Sequence, residues 1–313
     1  MIKTGLARLE DLSTRSALKG LFGGRRQPSI ALYEDALGLP DGNWWAEEIL
    51  KNFSDARGVY KRTQSNRFAD FDRDVIDLIH GRFAGQAIRL HDVGSSDART
   101  SYDFMKAIVD IMPNITMIAS DRCNSIFVYQ NDEITVTVEP SGSLLEIAKP
   151  PFVFSMISHE NFGLYPINFL IRELIARPAA KKLLRAARGG HLKARRIPLV
   201  CKSALELART DGRFQITEYD LLAPPRRDGY FHVVRAMNIL NPCYFSEPQL
   251  HTITATVLRS LTEGGLFVVG SNQDAGSPVA GAVYSRHHHG FQRASNFRWA
   301  PPAIEATILG PAN

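Results

Sequence analysis

Residues 88–100, IRLHDVGSSDART, join an apolar-alternating run to an acid, a small-residue turn and the start of a helical period. That order reads as a strand delivering the chain into a ligand-binding turn. Gly94, Ser95 and Ser96 are small enough for backbone N–H groups to come close to a bound molecule, and the helix beyond them adds its positive end to the site. Such a turn suits a nucleotide-like ligand.

From residue 88 onward strands and helices alternate, the pattern of a parallel sheet with helices on its faces. The spacing predicts a strand over 88–93, a helix over 101–111 stopped by Pro113, and a second strand over 115–119 that closes on Ser120 and Asp121. An acid one supersecondary unit beyond a small-residue turn is where α/β folds hold ribose hydroxyls, because a single carboxylate accepts from both, so Asp121 reads either as that contact or as a strand-end acid capping the next segment. The alternation resumes after Pro198 with a helix over 199–209, a strand over 214–218 ending at Tyr219 and Asp220, and a strand over 230–235. A helix over 247–261 carries Pro248 in its first turn, where proline is tolerated, and Glu263-Gly264-Gly265 turns into a strand over 266–270. Two closing strands are expected near 290–297 and 304–309.

Two regions stand outside this alternation. Residues 1–84 read as mainly helical, divided by the turn-rich GLPDGN at 38–43, with Trp44, Trp45 and Phe53 available either to packing between helices or to a lid over a pocket. Residues 124–197 read as an insertion. It opens with a hairpin over 126–138 about Asn131-Asp132. An apolar segment comes next over 152–175, and then a basic run of Arg177, Lys181, Lys182, Arg185, Arg188, Lys193, Arg195 and Arg196. A basic helix beside an apolar segment suits a peripheral contact with an anionic membrane, a grip on an acidic substrate, or a solvated face over a buried hairpin. His159, Glu160, Asn161 and Tyr165 lie in this insertion and read either as the lining of a substrate pocket or as surface and hinge residues.

At 313 residues and 44% hydrophobic the chain can bury a large core with a smaller subdomain, which excludes general disorder. Cys123, Cys201 and Cys243 are widely spaced without a CxxC pair, so neither a disulfide framework nor a zinc site is indicated and a reducing cytoplasm fits. The N-terminus lacks a basic region followed by an apolar run, and no apolar stretch reaches the roughly 18 residues of a spanning helix, so a soluble protein is expected. A net charge of +5 is mild over this length and does not point to nucleic acid. His287, His288 and His289 are adjacent rather than on one helix face, which reads as a loop and not a metal site, and His232 between Phe231 and Val233 reads as a packed strand residue.

Taken together these pieces resemble the class I S-adenosylmethionine-dependent methyltransferases. DVGSSD at 92–97 is similar to their first motif, ASD at 119–121 to the acid closing the second strand, and EYDLL at 218–222 to the segment beside the adenine. VVRAMNILNPCYF at 233–245 is similar to the fourth strand and its following helix, in a version close to the chemotaxis-receptor methyltransferases, and LTEGGLFVVG at 261–270 to the turn into strand five. The first motif of that family usually carries three glycines. Here Gly94 is followed by Ser96 and Ala98 at the later small positions, and the missing GxGxxG also argues against a dinucleotide oxidoreductase.

The resemblance implies a Rossmann-like seven-stranded sheet with helices on both faces over 85–123 and 198–313, an N-terminal helical region or lid over 1–84, and an inserted substrate or interaction subdomain over 124–197. It implies S-adenosylmethionine as cofactor, with Asp92 and Gly94 shaping its methionine end, Ser96 and Asp97 its approach, Asp121 the ribose, and Asp220 with Leu221 the adenine. Arg235, Ala236 and Asn238 would stand at the fourth strand's end. Candidates for the acceptor side are His159, Tyr165, Asn238 and Tyr244, the last in Asn241-Pro242-Cys243-Tyr244, which reads as a loop turn or as a relative of the box that binds exocyclic amines. The function implied is methyl transfer to an O or N nucleophile of a small-molecule or lipid-like acceptor. The alternatives are a protein or nucleic-acid acceptor, or a noncatalytic partner-binding protein that keeps the fold.

Overall fold

The computed structural model describes residues 2–13, 26–61, 63–157, 165–272, 276–294 and 301–310. The chain forms two compact units, Met1–Arg62 with Ser125–Leu199, and Thr63–Asn124 with Val200–Asn313.

In the second unit, seven strands form one sheet: β1 Ile88–Val93, β2 Ile115–Asp121, β3 Phe214–Glu218, β4 Phe231–Met237, β5 Leu261–Ser271, β6 Ala280–His287 and β7 Gly290–Arg293. Their order is β3-β2-β1-β4-β5-β6-β7. The first five are parallel to their neighbours, and β6 and β7 each run antiparallel to the strand before. The chain therefore starts mid-sheet, winds outward to β3, returns beside β1 as β4 and winds out the other way. This doubly wound Rossmann-like order places a topological switch point between β1 and β4, where open α/β sheets leave a crevice at the carboxyl ends of the strands.

Alternation along the strands explains both layers. Ile88, Leu90, Ile115, Met117, Val233, Leu266 and Val268 face one cluster with Phe71, Val75 and Ile79 of α1 (Ala69–Phe83), Phe104 and Ile108 of α2 (Arg99–Val109) and Ala204 of α3 (Lys202–Thr210). His91, Val93 and Val234 face the other way, around a cavity of about 20 Å³ shared with Val257 and Ser260 of α4 (Glu247–Ser260). A sheet covered on both faces reads as near-continuous apolar strands. The Ser246–Gln249 capping box with Pro248 in the first turn starts α4 as its sequence requires.

Two sequence expectations change here. The helix α1, read with the N-terminal region, belongs to the sheet-bearing unit. The closing strands are Ala280–His287 and Gly290–Arg293, whereas Glu305–Leu309 is a short helix. AGAVYSRH is weak in β propensity, and its pairing with β5 over six residues supplies what propensity does not. The histidines form the hairpin turn between β6 and β7: the His288 N–H donates to Glu263, and His287 shares a hydrogen bond with Ser285.

The first unit is built on a five-stranded antiparallel sheet in the order Phe152–Ser155, Leu144–Lys149, Thr135–Val138, Ser125–Gln130, Arg195–Pro198. The expected hairpin is present, its turn held by the Asn131 side chain accepting from the amides of Glu133 and Ile134. One helical run covers the sheet: Pro166–Ile171, a π turn over Arg172–Ala176, and Arg177–Arg188. Ala176, Ala180 and Leu183 pack on Val136, Ile147 and Phe154. Trp45 and Phe53 are buried in this unit and serve packing, while Trp44, 40% exposed, stands edge-on to Trp45 at 4.7 Å. Among the described residues no helix is long and apolar enough to cross a membrane.

Candidate functional site

The turn after β1 is made from residues in left-handed backbone. Gly94, Ser96 and Ala98 have φ of +67°, +57° and +60°. An L residue with a Cβ enters this region at a cost on the order of 1 kcal/mol or more, so Ser96 and Ala98 hold conformations that glycine adopts freely. The three positions where the resembled motif carries glycine are thus the three left-handed positions. Gly94 has no latitude at all, because a Cβ there would lie 2.6 Å from Cγ1 of Ile239 just beyond β4.

Asp121, at the end of β2, closes on this turn. Its Oδ2 accepts from the Ser96 N–H at 2.8 Å and its Oδ1 from the Cys123 N–H at 3.1 Å, while the Ser95 N–H donates to the Ser120 carbonyl. The Ser95 hydroxyl is buried with no hydrogen-bond partner among the described residues. Asp97 is fully buried: its carboxylate takes the Arg99 amide and guanidinium, and its carbonyl takes the Cys201 N–H. Burial also pushes the Cys201 thiol up to about 12, which leaves it unreactive.

Beneath the turn lies a buried ion cluster. Arg235, fully enclosed in β4, donates through Nη1 to Asp92 at 2.8 Å and through Nη2 to both oxygens of Asp72 on α1 at 2.9 and 3.0 Å. The Ser101 hydroxyl donates to Asp92 at 2.6 Å, and Phe104 and Phe68 flank the guanidinium. Desolvation raises both carboxyls, Asp72 to about 6, because two acids share one guanidinium. Asp92 and Arg235 are therefore committed to each other and shape the turn from below instead of facing a ligand. Ala236 is buried beside Arg235 on the opposite face of β4.

At the carboxyl ends of β4 and β5 a polar network joins Asn238, Asn272 and Arg67. Asn238 is left-handed at φ +58°. Its Oδ1 accepts from the Asn272 N–H at 2.8 Å, and Arg67 Nε donates to Asn272 Oδ1 at 2.8 Å. Beside it, between α1 and α2, opens a cavity of about 270 Å³ whose lining includes Asn66, Phe68, Asp72, Thr100, Asp103 and Phe104. After β3, Asp220 accepts from the Leu222 N–H, and Leu221 is buried against His91 and Tyr219. Burial drops His91 to about 3, so it is a neutral partner of Ser120, 2.7 Å away.

Of the other expected residues, Asn241 makes an Asx turn with the Cys243 N–H and caps the approach to α4, so the tetrad ending at Tyr244 is a turn. Tyr165 precedes the helical run of the first unit, and His159 lies outside the described residues. His232 accepts the Arg89 N–H and stacks edge-on with Phe83, as a packed residue does. Sequence reasoning missed Asp72, Arg67 and Asn272. Asp72 had a signal: an acid within the apolar stripe Phe68, Phe71, Val75, Ile76, Ile79, which a buried charge elsewhere, Arg235 inside FHVVRAM, must answer.

No family model matches the chain, and a search among curated proteins finds no match. Solved structures similar to it include an inferred S-adenosyl-L-methionine-dependent methyltransferase from Methanococcus maripaludis, with 14% identity over 66% of this chain and 57% of that chain and a TM-score of 0.31. The CurJ carbon methyltransferase is 11% identical over 66% of this chain and 34% of that one, with a TM-score of 0.34. The pyocyanin biosynthetic protein PhzM is 12% identical over 83% of this chain and 48% of that one, with a TM-score of 0.30. The chain spans about half the length of the solved chains it matches. The chain's own fold is a mostly parallel α/β sheet with helices on both faces.

Proposed function

We propose that the sheet-bearing unit binds S-adenosylmethionine and that the protein transfers its methyl group to an O or N nucleophile of a small-molecule or lipid-like acceptor. The observation that carries this reading is the left-handed backbone at Gly94, Ser96 and Ala98, with Asp121 hydrogen-bonded to the turn they form. The buried Ser95 hydroxyl, partnerless among the described residues, fits a polar ligand at the same turn. The cofactor, when bound, supplies a methyl group already activated on a sulfonium.

The protein's part is then positional. Asp121 borders the ribose at the end of β2, Ser95 and Ser96 receive the methionine end above Gly94, and Asp220 with Leu221 borders the adenine. Asp92, Asp97 and Arg235 set the turn's shape without touching the ligand. Asn238, bonded to Asn272, stands on the acceptor side together with Tyr244 of the same unit.

The test is calorimetry with S-adenosylmethionine and S-adenosylhomocysteine on the wild type and Asp121→Ala. Removing a charge-assisted hydrogen bond to the ribose weakens affinity by about 10- to 100-fold. No binding by a folded wild-type protein overturns the reading and leaves the noncatalytic, partner-binding alternative. If binding holds, acceptor screening begins with small hydroxyl and amine compounds, with protein carboxylates and nucleic-acid bases as the rival arms.

A further inference from the structure

We infer that the outward ridge of the helical run 166–188 is a docking surface for anionic lipid. The inference does not depend on the cofactor reading.

The run keeps Asn168, Arg172, Ala176, Ala180 and Leu183 buried. In a regular helix, positions four apart drift about 40° around the axis per step. The π turn over Arg172–Ala176 takes up that drift, so one face stays down along the whole run. Asn168 locks the first half in place by a pair of bonds to the Lys3 backbone, at 2.9 and 2.6 Å.

The face left outside is unusual. Ile167, Leu170, Leu174 and Ile175 are all exposed, Leu174 by 71%. Lys181, Lys182, Arg185 and Arg188 are exposed further along the same run. The ridge is therefore apolar for its first half and basic for its second. The run's one acid, Glu173, is neutralised by Arg172 and Arg177 at 2.9 and 3.0 Å, so it does not offset the basic end.

Charge complementarity selects the occupant. Two copies seated ridge to ridge in parallel would set basic residues on basic residues, and antiparallel they would set each basic half on the other's leucines. An anionic bilayer satisfies both halves at once: the acyl boundary accepts the aliphatic side chains and the phosphates meet the lysines and arginines, whose long stems reach the headgroups.

The full-length chain is floated with phosphatidylcholine vesicles and with vesicles one third phosphatidylglycerol, at low and high salt. We expect binding to the anionic vesicles only, falling as salt rises. Leu170→Glu with Leu174→Glu should weaken it more than tenfold, and each of Lys181→Gln and Lys182→Gln about fivefold. Both sites are exposed, so circular dichroism should be unchanged in the variants. Absence of vesicle binding, equal binding to neutral and anionic vesicles, or indifference to these substitutions overturns the inference. So does a dimer in sedimentation equilibrium that Leu170→Glu with Leu174→Glu dissociates, since the seat would then belong to a second copy.

Discussion

In the sheet-bearing unit Asp72 and Asp92 close on the guanidinium of Arg235, whereas in the antiparallel unit Glu146 is buried against neutral donors, the Ser29 hydroxyl and the Ile30 amide. Both arrangements tie a strand to an element distant in sequence: β4 to α1 in one, the strand Leu144–Lys149 to the segment at Ser29 in the other. They differ in what faces the acid. Arg235 offsets part of the desolvation of its two acids, and the raised Asp72 shows that one guanidinium does not offset all of it. At Glu146 the hydroxyl and the amide likewise offset only part of it, and burial lifts it to about 7. Both buried acids are thus held above their ordinary range and respond to pH, and the one beside the cation depends on its partner as well.

The largest effect comes from removing the cation. Arg235→Met leaves two enclosed carboxyls without a counter-charge and should destabilise the sheet-bearing unit by about 3–5 kcal/mol. Amide exchange of peptides from β1 and β4 measures it. Adding Asp72→Asn and Asp92→Asn should recover most of the loss, because replacing a whole buried ion cluster costs little compared with breaking it. A loss under about 1 kcal/mol for Arg235→Met alone would mean that the two acids protonate and do not depend on the guanidinium.

For Glu146 the sign comes from its raised value. The folded-state group titrates near 7 and the unfolded one near 4.5, so the protonated form is favoured by folding. Its contribution is complete below about pH 4.5 and is lost as pH rises through 7, on the order of 3 kcal/mol in all. Glu146→Gln should flatten that slope and leave the first unit more stable than wild type at pH 8. Urea titration read by Trp44 and Trp45 in a Trp299→Phe background tracks the transition. An unchanged pH slope in the variant would remove Glu146 from the account.

The same contrast explains what could be read before the fold was known. The strands of the core and the turn after β1 were legible because local signals repeat: apolar runs, small residues at a strand end, an acid closing β2. The Arg235 cluster was not, since its partners lie 143 and 163 residues away and nothing local pairs them. The placement of α1 was lost for a related reason. A helical period shows that a face is buried but not against which sheet. At the other end, Ile304 and Ile308 look strand-like, yet the segment is a short helix that buries both and takes a hydrogen bond from Tyr284 at Glu305. In the candidate site, Ser96 and Asp121 meet at one turn because each sits at a strand end that its own local signal marks. Asn272 and Arg67 carry no motif and emerge only from the network at the strand ends.

The smallest effect is confined to the turn and sharpens the contrast, since it concerns backbone and not charge. Ser96 holds φ +57° with a Cβ, and glycine would relieve that conformation by about 1 kcal/mol. The gain is opposed by the extra freedom of glycine in the unfolded chain, about 0.5–1 kcal/mol, so Ser96→Gly should shift the sheet-bearing unit by no more than a few tenths of a kcal/mol. Ser96→Val, β-branched at the same φ, should cost more than about 1 kcal/mol. Neither should move the transition of the first unit. Hydrogen exchange of the turn peptide separates the possibilities. If Ser96→Gly proves clearly destabilising, the serine side chain contributes more than its backbone strain costs, and it holds the turn in its ligand-ready shape through its own contacts and not only through the bond from its amide to Asp121.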